Sequence, residues 1–263
     1  FKLDMSLITD IDIGAISLIL SKIHKISLNN KFRFFGIFPK NNEVKLKMLE
    51  TGFAEYIISI SGKKYKQSGN NHIIKLGKEI VEPEKIGKLI QSTIKELISE
   101  DITYPPIYGI AIEIAANSVE HANKNDYEKN WYFGVKIIEE NNEKKAIFIL
   151  SDMGNGILTT LNRKFMHKIA ERLSNTNQNY RVLYSAFEKK YGSSTGDNNR
   201  NRGLPLILKR FEQEYISELK VITNNVFLDF ENINNSKELK TELKGTFYHW
   251  TLTKENILKW KNS

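Results

Sequence analysis

An α/β fold is predicted for this chain by three observations. Strand-like and helix-like stretches alternate from the first residues onward. Apolar runs of strand length are bounded by Gly, Pro, Asn or Asp. Longer patterns repeat their apolar residues at helical spacing. At 263 residues the chain is long enough to bury a genuine core and is read as two compact units. Residues 1–70 form a small α/β domain, residues 78–253 a larger α/β domain in which a mixed sheet is covered by helices, and residues 254–263 a C-terminal tail.

In the first unit "KLDMSLI" reads as a strand, "IDIGAISLILSKIHKIS" as an amphipathic helix, "KFRFFGIF" as a buried strand and "NNEVKLKMLETG" as a helix closed by Gly52. The polar stretch "SGKKYKQSGNN" places the boundary. After "HIIKL" comes the long helical pattern "PEKIGKLIQSTIKELISE". Tyr104-Pro105-Pro106 ends it and pre-sets the next helix, because proline suits a helix's first turn and not its middle. "WYFGVKIIEE" and "KKAIFILSD" form a hairpin across "NNEK". Helices dominate from Leu158 to Lys190, the loop "YGSSTGDNNRNRG" leads into the helix "LPLILKRFEQEY", and strands "ELKVIT", "VFLDF" and "GTFYHWTL" close the domain.

Composition narrows the classes of function. A hydrophobic fraction of 40% and a mean hydropathy of −0.41 describe a globular protein. The longest apolar candidate, "AISLILSKI", falls short of the roughly 20 residues that cross a bilayer. Without cysteine there are no disulfides and no thiolate metal sites, and with no signal-peptide pattern the expected location is cytoplasmic. The net charge of +8 suits a polyanionic partner, but no dense block of Lys and Arg occurs, so a dedicated nucleic-acid surface is disfavoured.

Three motifs carry chemistry. In "EIAANSVEHA", at about 100° per residue, Glu113, Asn117 and His121 share one helix face. Ile107, Ile110, Ala111, Ile114, Ala115 and Ser118 make the opposite, packing face. A solvated stripe on a surface helix is the better explanation of each polar residue when it is taken singly. In "FILSDMGNGI" an apolar strand ends at Asp152, which can accept a hydrogen bond from a ligand's amino group, while Gly154 and Gly156 let backbone approach closely. An ordinary strand-to-loop turn is the alternative. In "GSSTGDNNRNRGLPL" a loop runs into a helix start at Gly203, with Arg200 and Arg202 beside the exposed amides, a phosphate cradle by chemistry though not a P-loop by pattern.

Their order resembles the GHKL ATP-binding superfamily of gyrase, heat-shock chaperone ATPases, histidine kinases and MutL. A Glu-x-x-x-Asn helix precedes a strand ending Asp-x-Gly-x-Gly-Ile, a loop closing on Arg-Gly-Leu-x-Leu, and a late strand with Gly245-Thr246. Within it, Glu-x-x-x-Asn-x-x-x-His is most similar to the anti-sigma-factor serine kinases. The resemblance spans residues 80–253 and implies a GHKL-type two-layer α/β sandwich binding ATP and Mg²⁺. It implies that Asn117 is the metal ligand and Glu113 the base, for an attacking water or a protein hydroxyl. Asp152 reads the adenine amino group, with Gly154 and Gly156 beside the base and Thr246 next to Asp152. Residues 192–204 form a mobile lid in which Ser194, Thr195, Gly196 and Arg202 contact the nucleotide and the Gly203 and Leu204 amides meet the phosphates.

Pro205 stands where the family has a glycine, and Glu120 where histidine kinases often have lysine. No histidine lies in a phosphoacceptor-helix sequence, which disfavours a histidine kinase. His121 either touches phosphate or caps and packs the helix end, Met153 and Asn155 are read as local shape, and Trp131, Trp250 and Trp260 as core or terminal packing. The first unit is loosely STAS-like, with a generic α/β scaffold as the level alternative. The expected function is an ATP-binding regulatory protein, a slow ATPase or a serine/threonine kinase, that signals to a protein partner. Homodimerisation is left open. The alternatives are a non-catalytic nucleotide-dependent protein-binding module and, with least support, a basic nucleic-acid binder.

Overall fold

The computed structural model describes residues 1–30, 34–59, 61–65, 75–77, 81–120, 131–161, 179–188 and 203–263. At the start of the chain β1 (Lys2–Asp4) pairs in parallel with β2 (Phe35–Ile37), and α1 (Ile13–Asn30) makes the crossover. The Asp12 carboxylate accepts from the Ala15 amide at 2.6 Å and so caps α1, whose Ile13, Ile16, Leu20 and Ile23 are buried at three- and four-residue spacing. In α2 (Asn42–Glu50) the Asn41 side chain caps the first turn through the Glu43 amide at 2.9 Å. Gly52, at φ 79°, closes it where the sequence expects.

The larger sheet holds β3 (Lys75–Gly77), β4 (Trp131–Glu140), β5 (Glu143–Asp152), β6 (Ser217–Asp229) and β7 (Lys237–Thr253) in the order β3-β4-β5-β7-β6. Every pairing is antiparallel, which corrects the mixed sheet expected from the sequence. Asn141 and Asn142, at φ 54° and 66°, make a two-residue turn whose twist suits a hairpin, so β4 and β5 must run oppositely. β5 and β6 do run the same way, but β7 inserts between them and removes the parallel contact. Strands "ELKVIT" and "VFLDF" are also one element, β6, kinked at Asn224 where φ is 52° and the register shifts.

Helices α3 (Pro83–Ile98) and α4 (Pro105–Glu120) lie over one face of this sheet. Short α5 (Ile157–Thr160), then α6 (Asn179–Phe187) and α7 (Gly203–Glu212), complete that layer; the rest of the helical run expected between Leu158 and Lys190 lies outside the described residues. The core between helices and sheet contains the whole apolar face expected of α4 except its hydroxyl: Ile107, Ile110, Ala111, Ile114 and Ala115. Ser118 is buried too, its hydroxyl donating to the Ile114 carbonyl at 2.8 Å. Phe133, Phe148 and Trp250 form a three-ring cluster with centroid distances of 5.9, 5.8 and 6.3 Å.

Residues expected as a tail instead continue the fold. α8 (Lys254–Lys261) starts from a capping box between Thr253 and Asn256, buries Ile257 in the same core and sets Trp260 edge-on to Tyr104 at 5.1 Å. The opposite face of the sheet is also covered. Tyr132, Ile149 and Phe247 point to it by strand alternation and, with Met153 just past β5, share a hydrophobic cluster with α1 of the first unit. Among the described residues no helix is long and apolar enough to cross a membrane.

Candidate functional site

Glu113 and Asn117 sit one turn apart near the end of α4, both half-buried at the edge of the helix layer. Gly203, the first residue of α7, is packed directly against them. A Cβ added there would stand 2.7 Å from Asn117 Nδ2 and 3.4 Å from Glu113 Oε2, so any larger residue would displace the amide. α7 therefore aims its first turn, with amides that have no partner inside the helix, at the carboxylate and amide of α4. Among the described residues neither polar side chain of α4 is taken up by a hydrogen bond or ion pair. Leu204 is half-buried against the core, and Pro205 falls in the first turn, where its missing N–H breaks no helical bond. His121, Ser194, Thr195, Gly196, Arg200 and Arg202 lie outside the described residues.

A second cluster forms at the end of β5. Asp152 Oδ1 accepts from the Gly154 amide at 2.8 Å, and Thr246 on β7 stands beside the carboxyl. Gly245, at φ 107°, is what brings β7 this close: its Cβ would stand 2.1 Å from the Asp152 carbonyl oxygen. Burial pushes the Asp152 carboxyl up to about 6, and the Gly154 amide and the neighbouring amide and hydroxyl of Thr246 pull it down without cancelling that. The residue keeps part of its surface accessible, which leaves a way in for a ligand. Across the strand pair Trp131 stands opposite Asp152.

Two residues not anticipated from the sequence hold the turn after Asp152. Thr223 Oγ1 accepts from the Ile157 amide at 2.8 Å, and Asn224 Oδ1 accepts from the Leu158 amide at 3.1 Å. The Asn224 amide donates to the Asn155 carbonyl at 3.1 Å and to Thr159 Oγ1 at 2.7 Å. Gly156, at φ 82°, makes room for both: its Cβ would lie 2.5 Å from Asn224 Oδ1 and 2.9 Å from Thr223 Oγ1. The structure thus gives Gly156 a reason within the fold that is independent of the base expected beside it. An Asn-Asn pair inside a strand pattern is a bulge signal, but nothing local says what the bulge contacts.

The raised Asp152 pKa has a signed consequence for the ligand-free protein. Folding favours the protonated carboxyl, so this group's contribution is undiminished below about pH 4 and falls as pH rises through about 6. Half-buried His249 works in the other direction. Desolvation lowers its pKa, so its contribution is present above its ordinary value near 6.5 and falls as pH drops. In thermal unfolding, Asp152→Asn is expected to gain on the parent between pH 4 and 7, by an amount on the order of 1–2 kcal/mol after discounting for residual solvent access. A difference that stays constant over that range would refute the assignment.

Among the described residues no group of three or more His, Cys, Asp or Glu is gathered as a metal cage. Magnesium does not require one, since it is commonly held by one or two protein oxygens together with phosphates and water. No protein-family model matches the chain, and no curated protein matches it.

Proposed function

We propose that this protein binds Mg-ATP between α4, α7, the end of β5 and the middle of β7, and that the bound nucleotide controls a protein partner. The carrying observation is the meeting of Gly203 with Glu113 and Asn117, residues some ninety positions apart that close on one another across the helix layer. A helix N-terminus facing a carboxylate and an amide that no side chain among the described residues takes up suits a phosphate–metal pair. The N–H groups favour negative charge, and the amide oxygen is a hard ligand for Mg²⁺.

The Asp152 cluster supports the same reading from the other end. A carboxylate partly removed from water and steadied by Gly154 and Thr246 can accept from the amino group of adenine. Asn117 would hold the cation and Asp152 the base. Glu113 would take the proton from the nucleophile, water in an ATPase or a serine or threonine hydroxyl in a kinase. Bound Mg²⁺ supplies neutralisation of phosphate charge; orientation of the nucleotide falls to the chain's own groups. A homodimer and a cytoplasmic setting remain compatible with this reading.

Calorimetric titration with a non-hydrolysable Mg-ATP analogue tests it. Saturable binding is expected, weakened at least about tenfold by Asp152→Asn and by Asn117→Ala, the loss typical of one hydrogen bond to a charged group. Absence of binding, or equal binding by both variants, would remove the assignment.

A further inference from the structure

We propose that Thr223 and Asn224 are positioning residues for base recognition: they clamp the 153–159 turn to β7 so that Asp152 is held ready for an amino-bearing purine, and they thereby set the preference for adenine over guanine. This rests on the nucleotide reading above and goes beyond it, because neither residue belongs to the motifs that suggested it.

The contacts are two-sided. On the turn, Thr223 engages the Ile157 amide, and Asn224 engages Asn155, Leu158 and Thr159. On β7, Thr223 Oγ1 lies 3.2 Å from both the Gly245 carbonyl and Thr246 Oγ1, and the Asn224 amide lies 3.4 Å from Glu242 Oε1. The Ile157 N–H donates to Thr223, whose single proton has three acceptors in reach, the Gly245 carbonyl, Thr246 Oγ1 and Asn224 Oδ1, and Thr246 in turn stands beside the Asp152 carboxyl. From the turn that the pair holds, the Gly154 amide donates to Asp152, and a donor to the carboxylate favours the ionised, acceptor-only form that takes a hydrogen bond from an amino group. Guanine presents a carbonyl oxygen where adenine presents that group, and two acceptors facing each other repel.

The backbone has been shaped to admit the pair. Both residues are buried, Asn224 takes a left-handed conformation at the kink of β6, and Gly156 lacks the Cβ that would collide with them. A clamp that merely held the strand would need none of the contacts to the turn.

The experiment measures affinities for the non-hydrolysable analogues of Mg-ATP and Mg-GTP in the full chain and in Thr223→Val, Thr223→Ser and Asn224→Asp. Expected are a loss of about tenfold in adenine affinity for Thr223→Val with the guanine analogue little changed, recovery to within about threefold in Thr223→Ser, and an intermediate loss in Asn224→Asp, which keeps the acceptor for Leu158 and loses the donor. The ratio of the two affinities is the readout, because general loosening of the fold lowers both together. A parent protein that binds neither analogue overturns the nucleotide reading itself. A parent that binds ATP with an unchanged ratio in Thr223→Val, or with no recovery in Thr223→Ser, overturns only the positioning role. Should Thr223→Val not fold, an unchanged ratio in Asn224→Asp does the same.

Discussion

Replacement of Gly245 with alanine is expected to leave little folded protein. The added methyl would lie 2.1 Å from the Asp152 carbonyl oxygen, 2.9 Å from its carbonyl carbon and 3.2 Å from the Met153 Cα. All three are backbone atoms, so no rotamer change can relieve the contact. The residue's φ of 107° is also a conformation that L-residues rarely adopt. Relief requires β7 to move away from β5 beside the Ser151–Phe247 pair, which opens both hydrophobic clusters. Backbone strain alone costs about 1–3 kcal/mol, and with the separation of strands the total should exceed about 4 kcal/mol, a large part of the stability of an ordinary domain. Urea unfolding and soluble yield provide the measurement. Gly62→Ala is the control, since Gly62 has a φ of 79° but no atom within 4 Å of the added Cβ, and should cost only about 1 kcal/mol. Equal midpoints for Gly245→Ala and the parent would show that β7 does not approach Asp152 as closely as described.

The second large effect is expected at Glu113. Under the proposed function, Glu113→Gln keeps the side chain's volume and its fit beside Gly203 but removes the base. Phosphate release, or label transfer to a partner protein, should fall by about 10²–10⁴-fold, the usual contribution of general acid–base catalysis. Affinity for the Mg-ATP analogue should stay within about threefold, because the adenine end of the site is untouched. Incubation with labelled ATP, scored for both free phosphate and labelled protein, separates water from a protein hydroxyl as nucleophile. An undiminished rate would move the base elsewhere, and a parent without turnover would favour the non-catalytic binding module.

Much of the fold was legible because it rests on local patterns. The three- and four-residue spacing of Ile107, Ile110, Ala111, Ile114 and Ala115 marks the buried face of α4, and Pro105 marks its start. The hairpin β4–β5 and the closing Gly52 are equally local, set by alternation and by turn chemistry. The C-terminal helix is harder to read from sequence. In "KENILKWKNS" only Ile257 and Trp260 are strongly apolar on the inner side, and a short weakly patterned helix acquires its stability from a core assembled by distant residues. The order of strands was similarly hidden, because a sequence records hairpins but not which edge a returning strand joins.

At the candidate site, the residue types that the chain supplies by itself are a carboxylate and an amide on one helix face, an acid at the end of an apolar strand, and glycines before a helix and a late strand. Their spacing settles that Glu113 and Asn117 look the same way, since helix periodicity is a local property. Only the tertiary structure decided that Gly203 closes on them, that Gly245 presses β7 against Asp152, and that Thr223 and Asn224 grip the turn from a strand some seventy residues later. It likewise placed α1 beneath the sheet, where a Cβ on Gly14 would come within 2.9 Å of the Phe247 ring on the face opposite Thr246. These are contacts between segments remote along the chain. They are selected by how whole hydrophobic faces pack, a property that no window of sequence contains.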